Sequence, residues 1–146
     1  MRIYLDTCCL NRPYDDQSNL RISLETQAVA YIMELVKDKR IDLISSFVLH
    51  YENSNNPYEL RRKQIKNFLC QYAIEDVGPE RKEEIKKIGA QIIMSGIKVR
   101  DAYHVACAIF AQCDYFLSTD DRLLKYASSQ ITLLNPVNLI PVLESL

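Results

Sequence analysis

Four acidic residues stand at the borders of apolar segments, and together they can do chemistry that none does alone. Asp6 ends the run Ile3-Tyr4-Leu5, and Glu52 follows the largely apolar stretch from Phe47 to Tyr51. Asp101 opens the apolar segment Ala102 to Ala111, and Asp120 follows Tyr115-Phe116-Leu117 through Ser118-Thr119. Carboxylates enter core surroundings only when paired or when they hold a metal. Two of them about 4 Å apart repel by roughly 4 kcal/mol at an effective dielectric near 20. A divalent cation reverses that sign, and all-oxygen ligation selects hard ions, Mg²⁺ or Mn²⁺, over zinc. Such ions polarise phosphates and yield hydroxide from water near neutral pH. The expected chemistry is hydrolysis of a phosphodiester by water.

Each acid also has a plainer reading. Asp6 could be an ordinary strand-end residue, and Glu52 a solvated helix residue. Asp101 could favour the dipole at a helix N-terminus. Asp120 and Asp121 could form a loop pair, one of them capping the next helix. Only the set points to a site, because all four acids fall at equivalent places in the predicted topology.

That topology follows from the pattern of apolar residues. Arg2 to Leu5 reads as a buried strand, and 8–19, with Pro13 and several Asp and Asn, as a loop. Leu20, Leu24, Ala28, Tyr31, Ile32, Leu35 and Val36 recur at helical spacing over 20–39. Ile41 to Ile44 reads as a strand, followed by a short helix that Ser45 or Ser46 caps and that carries Glu52. Asn56-Pro57 predicts a helix start, with the helix running to about Cys70. Ala73 to Val77 reads as a strand, Glu80 to Met94 as a helix closed near Gly96, and Val99 to Gln112 as another. Tyr115 to Leu117 and Ile131 to Leu134 read as strands, with short helices over 122–127 and 136–143.

Strands alternating with helices predict an α/β fold of three layers, a mostly parallel central sheet with helices on both faces. No repeat or linker divides the 146 residues, so one domain over 1–146 is expected. In open α/β sheets ligands bind beyond the carboxyl ends of the strands. Asp6 and Asp120 lie just past two such ends, Glu52 one short helix past a third, and Asp101 after a loop that returns to the same edge.

Composition narrows the function further. The content is 48% hydrophobic and 25% charged with a formal charge of −1, which argues against coating nucleic acid by bulk charge. The five cysteines, Cys8, Cys9, Cys70, Cys107 and Cys113, include no Cys-x-x-Cys pair, and a reducing cytoplasm is the expected setting. Cys107 and Cys113 read as small core residues. Met1 to Asp6 turns acidic too soon for a signal peptide, and no apolar run reaches a membrane span. A zinc site is not expected from His50 and His104, which lack ligand spacing. His104 shares a helix face with Asp101 and should bond a carboxylate or the core. Arg12, Arg21 and Arg100 are placed to reach a phosphate near the rim. Arg61-Arg62-Lys63 with Lys66 could follow an RNA backbone, although a solvated helix face is the plainer reading.

Three blocks of this chain resemble a PIN domain, the metal-dependent ribonuclease fold of VapC-type toxins. Ile3-Tyr4-Leu5-Asp6-Thr7 is similar to the family's strand ending in Asp then Thr or Ser. Asp101-Ala102-Tyr103-His104-Val105-Ala106-Cys107-Ala108 is similar to its Asp-Ala-x-His-x-Ala-x-Ala run. Asp114 to Asp121 is similar to its Asp-aromatic-apolar-Thr-x-Asp block, and Glu52 matches the acid after the second strand. The blocks keep the family's order over residues 1 to about 135. The resemblance implies a PIN-like fold and endonuclease action on RNA with Mg²⁺ or Mn²⁺. It implies Asp6, Asp101 and Asp120 as metal ligands, with Glu52 completing the site. Ser118, where the family often has Thr, would orient a carboxylate or water; Thr119 and Asp121 would support it. It further implies an antitoxin partner and a homodimer. The alternative function is a binding module for nucleic acid or protein that keeps the fold without cleaving. A haloacid-dehalogenase-like phosphatase would need a second Asp in Asp6-Thr7-Cys8, and none is there.

Overall fold

A computed structural model describes all residues, 1–146. Its strands are β1 (Arg2–Leu5), β2 (Asp42–Ser46), β3 (Ala73–Val77), β4 (Tyr115–Leu117) and β5 (Thr132–Leu134). They form one sheet in the order β3-β2-β1-β4-β5, and every neighbouring pair is parallel. The central strands are buried on both faces: Ile3, Tyr4, Leu5, Leu43, Ile44, Phe116 and Leu117 are inaccessible to solvent. This is why they read as unbroken apolar runs rather than alternating ones. β2 continues two residues past the expected Ile44, because Ser45 and Ser46 are buried and pair with β3.

The helices are α1 (Thr7–Asn11), α2 (Leu20–Lys37), α3 (Phe47–Ser54), α4 (Glu59–Tyr72), α5 (Lys82–Met94), α6 (Val99–Phe110), α7 (Asp121–Leu124) and α8 (Pro136–Glu144). Right-handed crossovers put the helices after β1 and β2 on one face and those after β3 on the other. The chain moves outward from β1 to β2 to β3, then crosses back to lay β4 on the far side of β1. The direction of travel therefore reverses between β1 and β4. That reversal opens a crevice at the carboxyl ends of these two strands.

Three expectations are corrected. The segment 8–19 is not all loop: α1 occupies Thr7–Asn11 and a 3-10 turn Arg12–Tyr14. α1 forms because Asp6 caps it and Cys9 and Leu10 are buried. The fourth helix begins at Glu59 rather than at Asn56-Pro57; the Asn56 side chain accepts from Tyr58 N (3.1 Å), closing a turn before the helix. The inward face of α2 is rotated at its start: Leu20, Leu24 and Tyr31 are exposed, while Glu25 and Val29 are buried. Glu25 turns inward because Arg12, Arg21 and Asn135 all bond its carboxylate.

Two glycines fix the approach to α6. Gly96, at φ +94°, is a left-handed residue just past the end of α5. A side chain at Gly89 would lie 2.8 Å from the Tyr103 ring, so its absence lets α5 and α6 pack closely. No helix is long and apolar enough to cross a membrane.

Candidate metal centre

Asp6 leaves β1 at the crevice and caps α1, its Oδ1 accepting from Thr7 N at 2.8 Å. It is 7% exposed. Its Oδ2 accepts from the Ser118 hydroxyl at 2.9 Å, across from β4. Ser118 is wholly buried, and its Oγ also accepts from Asp120 N at 3.1 Å. One hydroxyl thus sets both the carboxylate after β1 and the backbone after β4. Cys8 closes the floor: its Sγ accepts from Thr119 N at 3.3 Å.

Glu52 comes from α3, which Ser46 caps by accepting from Leu49 N at 3.1 Å. Thr7 Oγ1 donates to Glu52 Oε1, and His104 Nε2 lies 2.5 Å from the same oxygen. On the other side of the imidazole, Nδ1 lies 2.7 Å from the Tyr4 hydroxyl, which lies 2.7 Å from Ser46 Oγ. With Glu52 ionised, Nε2 must donate, so in the neutral ring Nδ1 accepts from Tyr4. A continuous line of hydrogen bonds therefore runs from Ser46 through β1 and α6 back to Glu52.

One oxygen of Asp6, one of Glu52 and a ring nitrogen of His104 lie within 4.8 Å of one another. Asp101 sits in the first turn of α6, and Asp120 caps α7, its Oδ1 accepting from Arg122 N at 3.0 Å. These two line a cleft of about 450 Å³ with Lys98 and Arg122. Burial pushes the Asp101 carboxyl up, and the negative charges of Asp6, Asp120 and Glu52 push it further, against His104. Burial also raises Glu52, but His104, Thr7 and Arg100 outweigh it and bring the carboxyl down. Burial lowers His104, yet the bond to Glu52 and the surrounding acids raise it. The other three acids thus act on Asp101 electrostatically, and three sequence-remote segments supply the closest groups.

Other expected residues are placed differently. Asp121 lines the same cleft as Asp101 and Asp120, but it makes a two-pronged pair with Arg21, both bonds at 2.8 Å, which engages both its oxygens. Arg12 is not at the rim: it pairs with Glu25 (2.9 Å) and Asp15 (3.1 Å), drawn there by a carboxylate that is only 1% exposed. Arg100 does stand at the rim, 63% exposed and 3.4 Å from Glu52. Thr119 is buried, and its carbonyl accepts from Arg21 at 3.1 Å. Thr7 was not singled out from the sequence, although it stands in the Asp-Thr block. His104 bonds both a carboxylate and the core, where the sequence left the two open. Cys107 and Cys113 are core thiols, each pushed up to about 12, mainly by burial. An apolar groove lined by Phe47, Tyr51, Ile85 and Val99 shares Arg100 with the rim but holds none of the four acids.

No family model and no curated protein matches the sequence. Solved structures do. VapBC2 from Rickettsia felis bound to a DNA fragment from its promoter aligns with a TM-score of 0.60 at 12% identity, covering 92% of this chain and 98% of that one. FitAB bound to the IR36 DNA fragment aligns at 0.61 and 20% identity, covering 92% and 95%. FitAcB from Neisseria gonorrhoeae aligns at 0.52 and 20% identity, covering 92% and 97%. At such identities the likeness is one of architecture, and it spans nearly the whole of each partner. The five parallel strands, their order and the helices around them give this chain the PIN-like α/β/α fold.

Proposed function

We propose that this chain is a metal-dependent endoribonuclease, and that Asp6, Glu52, Asp101 and Asp120 hold Mg²⁺ or Mn²⁺. The observation that carries the reading is the approach of Asp6, Glu52 and His104 to within 4.8 Å of one another, with the Asp101 carboxyl raised first by burial and then by the charges of Asp6, Asp120 and Glu52. A site that accumulates unbalanced negative charge fits a divalent cation. The donor set is chiefly carboxylate oxygen, which fits Mg²⁺ or Mn²⁺. Bound there, such an ion supplies neutralisation of the phosphate and acidification of water.

The chain's own residues supply position. Ser118 and Thr7 N fix the two oxygens of Asp6. His104 and Thr7 fix Glu52. Two backbone N–H groups of α7 hold Asp120 Oδ1, and the residue lines the cleft beside Asp101. Arg100 stands where it can meet a phosphate oxygen. In the reaction the oxygen of water bonds to phosphorus, one of its protons passes to a carboxylate of the set, and the P–O bond to the leaving sugar breaks, the departing oxygen taking a proton from solvent.

The similarity to VapBC2 and FitAB supports a further part of the reading: a toxin held by an antitoxin. That the toxin acts as a homodimer is part of the same proposal and rests on the resemblance alone. The test is cleavage of defined RNAs by the purified chain with Mn²⁺ or with a chelator. Asp6→Asn should abolish Mn²⁺-dependent cleavage while the fold is retained. Undiminished cleavage by that variant would refute the assignment.

A further inference from the structure

The run Arg61-Arg62-Lys63 with Lys66 takes no part in the acidic crevice, yet the structure builds a distinct surface around it. The guanidinium of Arg61 lies 4.4 Å from the ring centre of Tyr58 and 5.2 Å from that of Tyr14. Both rings face solvent, Tyr58 at 61% and Tyr14 at 36% exposure. They are held there rather than loose: the Tyr14 hydroxyl donates to Gln64 (2.5 Å), and Arg61 donates to the Tyr14 carbonyl (3.2 Å). Alongside, His50, Arg62, Lys63 and Lys66 line a cleft of about 570 Å³. Its lining holds no acid; the nearest counter-charges pair with its edge, Glu59 with Lys63 at 2.8 Å and Asp76 with His50 at 3.7 Å.

A second observation points to a ligand. Only two buried side-chain polar atoms in the whole chain lack a hydrogen-bond partner, Asn53 Oδ1 and Arg61 Nε, and both belong to this surface. The Asn53 amide nitrogen is turned to the Arg62 carbonyl at 2.9 Å, so its oxygen is the atom left over. A buried acceptor and a buried donor without partners are uncommon in a folded chain and call for an explanation. A nucleotide offers both an amine and oxygen acceptors, together with a base face and a negative phosphate.

The surface also lies beside the acids. Asn56, two residues before Tyr58 and bonded to its backbone N–H, donates to Asn11 at 3.2 Å. Asn11 ends α1, whose first residue Thr7 bonds Glu52. Four residues of helix span about 6 Å.

We propose that this surface binds the single-stranded RNA that flanks the bond cut at the acids. Tyr58 and Tyr14 stack unpaired bases, and Arg62, Lys63 and Lys66 hold the backbone. Positive grooves interleaved with aromatic rings bind single strands in this way, whereas bases inside a duplex offer no free face. This rests on the ribonuclease reading for the choice of RNA.

The test is equilibrium binding of a fluorescent single-stranded RNA of mixed sequence to D101N, read by anisotropy without reference to cleavage. Tyr58→Ala should weaken binding by between about fivefold and a hundredfold, the range for loss of one base stack. Tyr58→Trp should restore it. Replacing Lys63 and Lys66 by Ala should lower the salt slope of log K by about 1.4, at about 0.7 per phosphate. The same sequence as a duplex should bind more weakly. Unchanged affinity of Tyr58→Ala overturns the proposal and leaves the cleavage assignment standing. Tyr58-dependent binding by a wild-type chain that cleaves nothing supports single-strand binding at this surface and overturns both the flanking of a cut bond and the ribonuclease reading. Binding of a polyglutamate peptide without binding of RNA makes this a protein-docking surface and overturns the proposal.

Discussion

Replacing Asp101 by Asn should stabilise the metal-free protein and destabilise the metal-loaded one relative to wild type. Asp6 and Glu52 approach within 4.8 Å. At an effective dielectric of 20 that separation corresponds to a repulsion of about 3.5 kcal/mol between like charges. Asp101 lies outside that closest cluster; at twice the separation each pair still contributes about 1.7 kcal/mol. Three acids repel it and a protonated His104 attracts it, leaving a net of about two such pairs, which solvent at this half-buried site reduces about twofold. The first-turn position in α6 returns about 0.3–1 kcal/mol through the helix dipole. Repulsion wins by about 1 kcal/mol, or about 4 °C in melting temperature for a chain of this size. The pH dependence has a definite sign. The folded carboxyl titrates above its unfolded value, so the folded state holds the extra proton and wild type loses stability as pH rises through that window. The advantage of the variant should be full at pH 7 in chelator and vanish below about pH 3.9. Adding Mn²⁺ at about a hundred times its dissociation constant should raise wild type by about 2.7 kcal/mol and the variant by much less. Scanning calorimetry with chelator and with Mn²⁺ should therefore show the two melting temperatures exchange order. A variant that melts at or below wild type in chelator at pH 7 would refute the reasoning.

Asp120→Asn should abolish Mn²⁺-dependent cleavage while Asp121→Asn leaves it near wild type, because Arg21 already engages both oxygens of Asp121; a gel assay on one RNA decides it. His104→Ala should cost about 3 kcal/mol, since it empties a buried position and removes one of two partners from the Tyr4 hydroxyl and one from Glu52, and chemical denaturation reads the loss directly. Glu25→Ala should cost about 3–5 kcal/mol by leaving Arg12 without its buried partner, yet leave Mn²⁺ affinity unchanged by calorimetric titration.

The strands were legible because apolar runs that are buried on both faces carry an unmistakable pattern, and the acids were legible because each interrupts one. Strand order was not written locally; it emerged from pairing between distant segments, which is what brings Asp6 to Ser118. α1 escaped notice because its five residues have little helical preference of their own and depend on the Asp6 cap and on burial of Cys9 and Leu10. The inward turn of Glu25 has no local signal, because two of its three partners lie 13 positions before it and 110 after it. The same carboxylate withdrew Arg12 from the role expected of it. Asp120 shows that two readings of one residue can both hold: it caps α7 with one oxygen and lines the cleft beside Asp101.

The line of hydrogen bonds that begins at Ser46 returns to the helix it started from. Ser46 clamps the head of α3, and His104 grips the same helix near its tail through Glu52. A helix pinned at both ends cannot slide to compensate for a shortened side chain. Glu52→Asp, the mildest change chemistry offers, would therefore retract the carboxylate by one methylene with no give in the scaffold to follow it. At this position, length matters as much as charge.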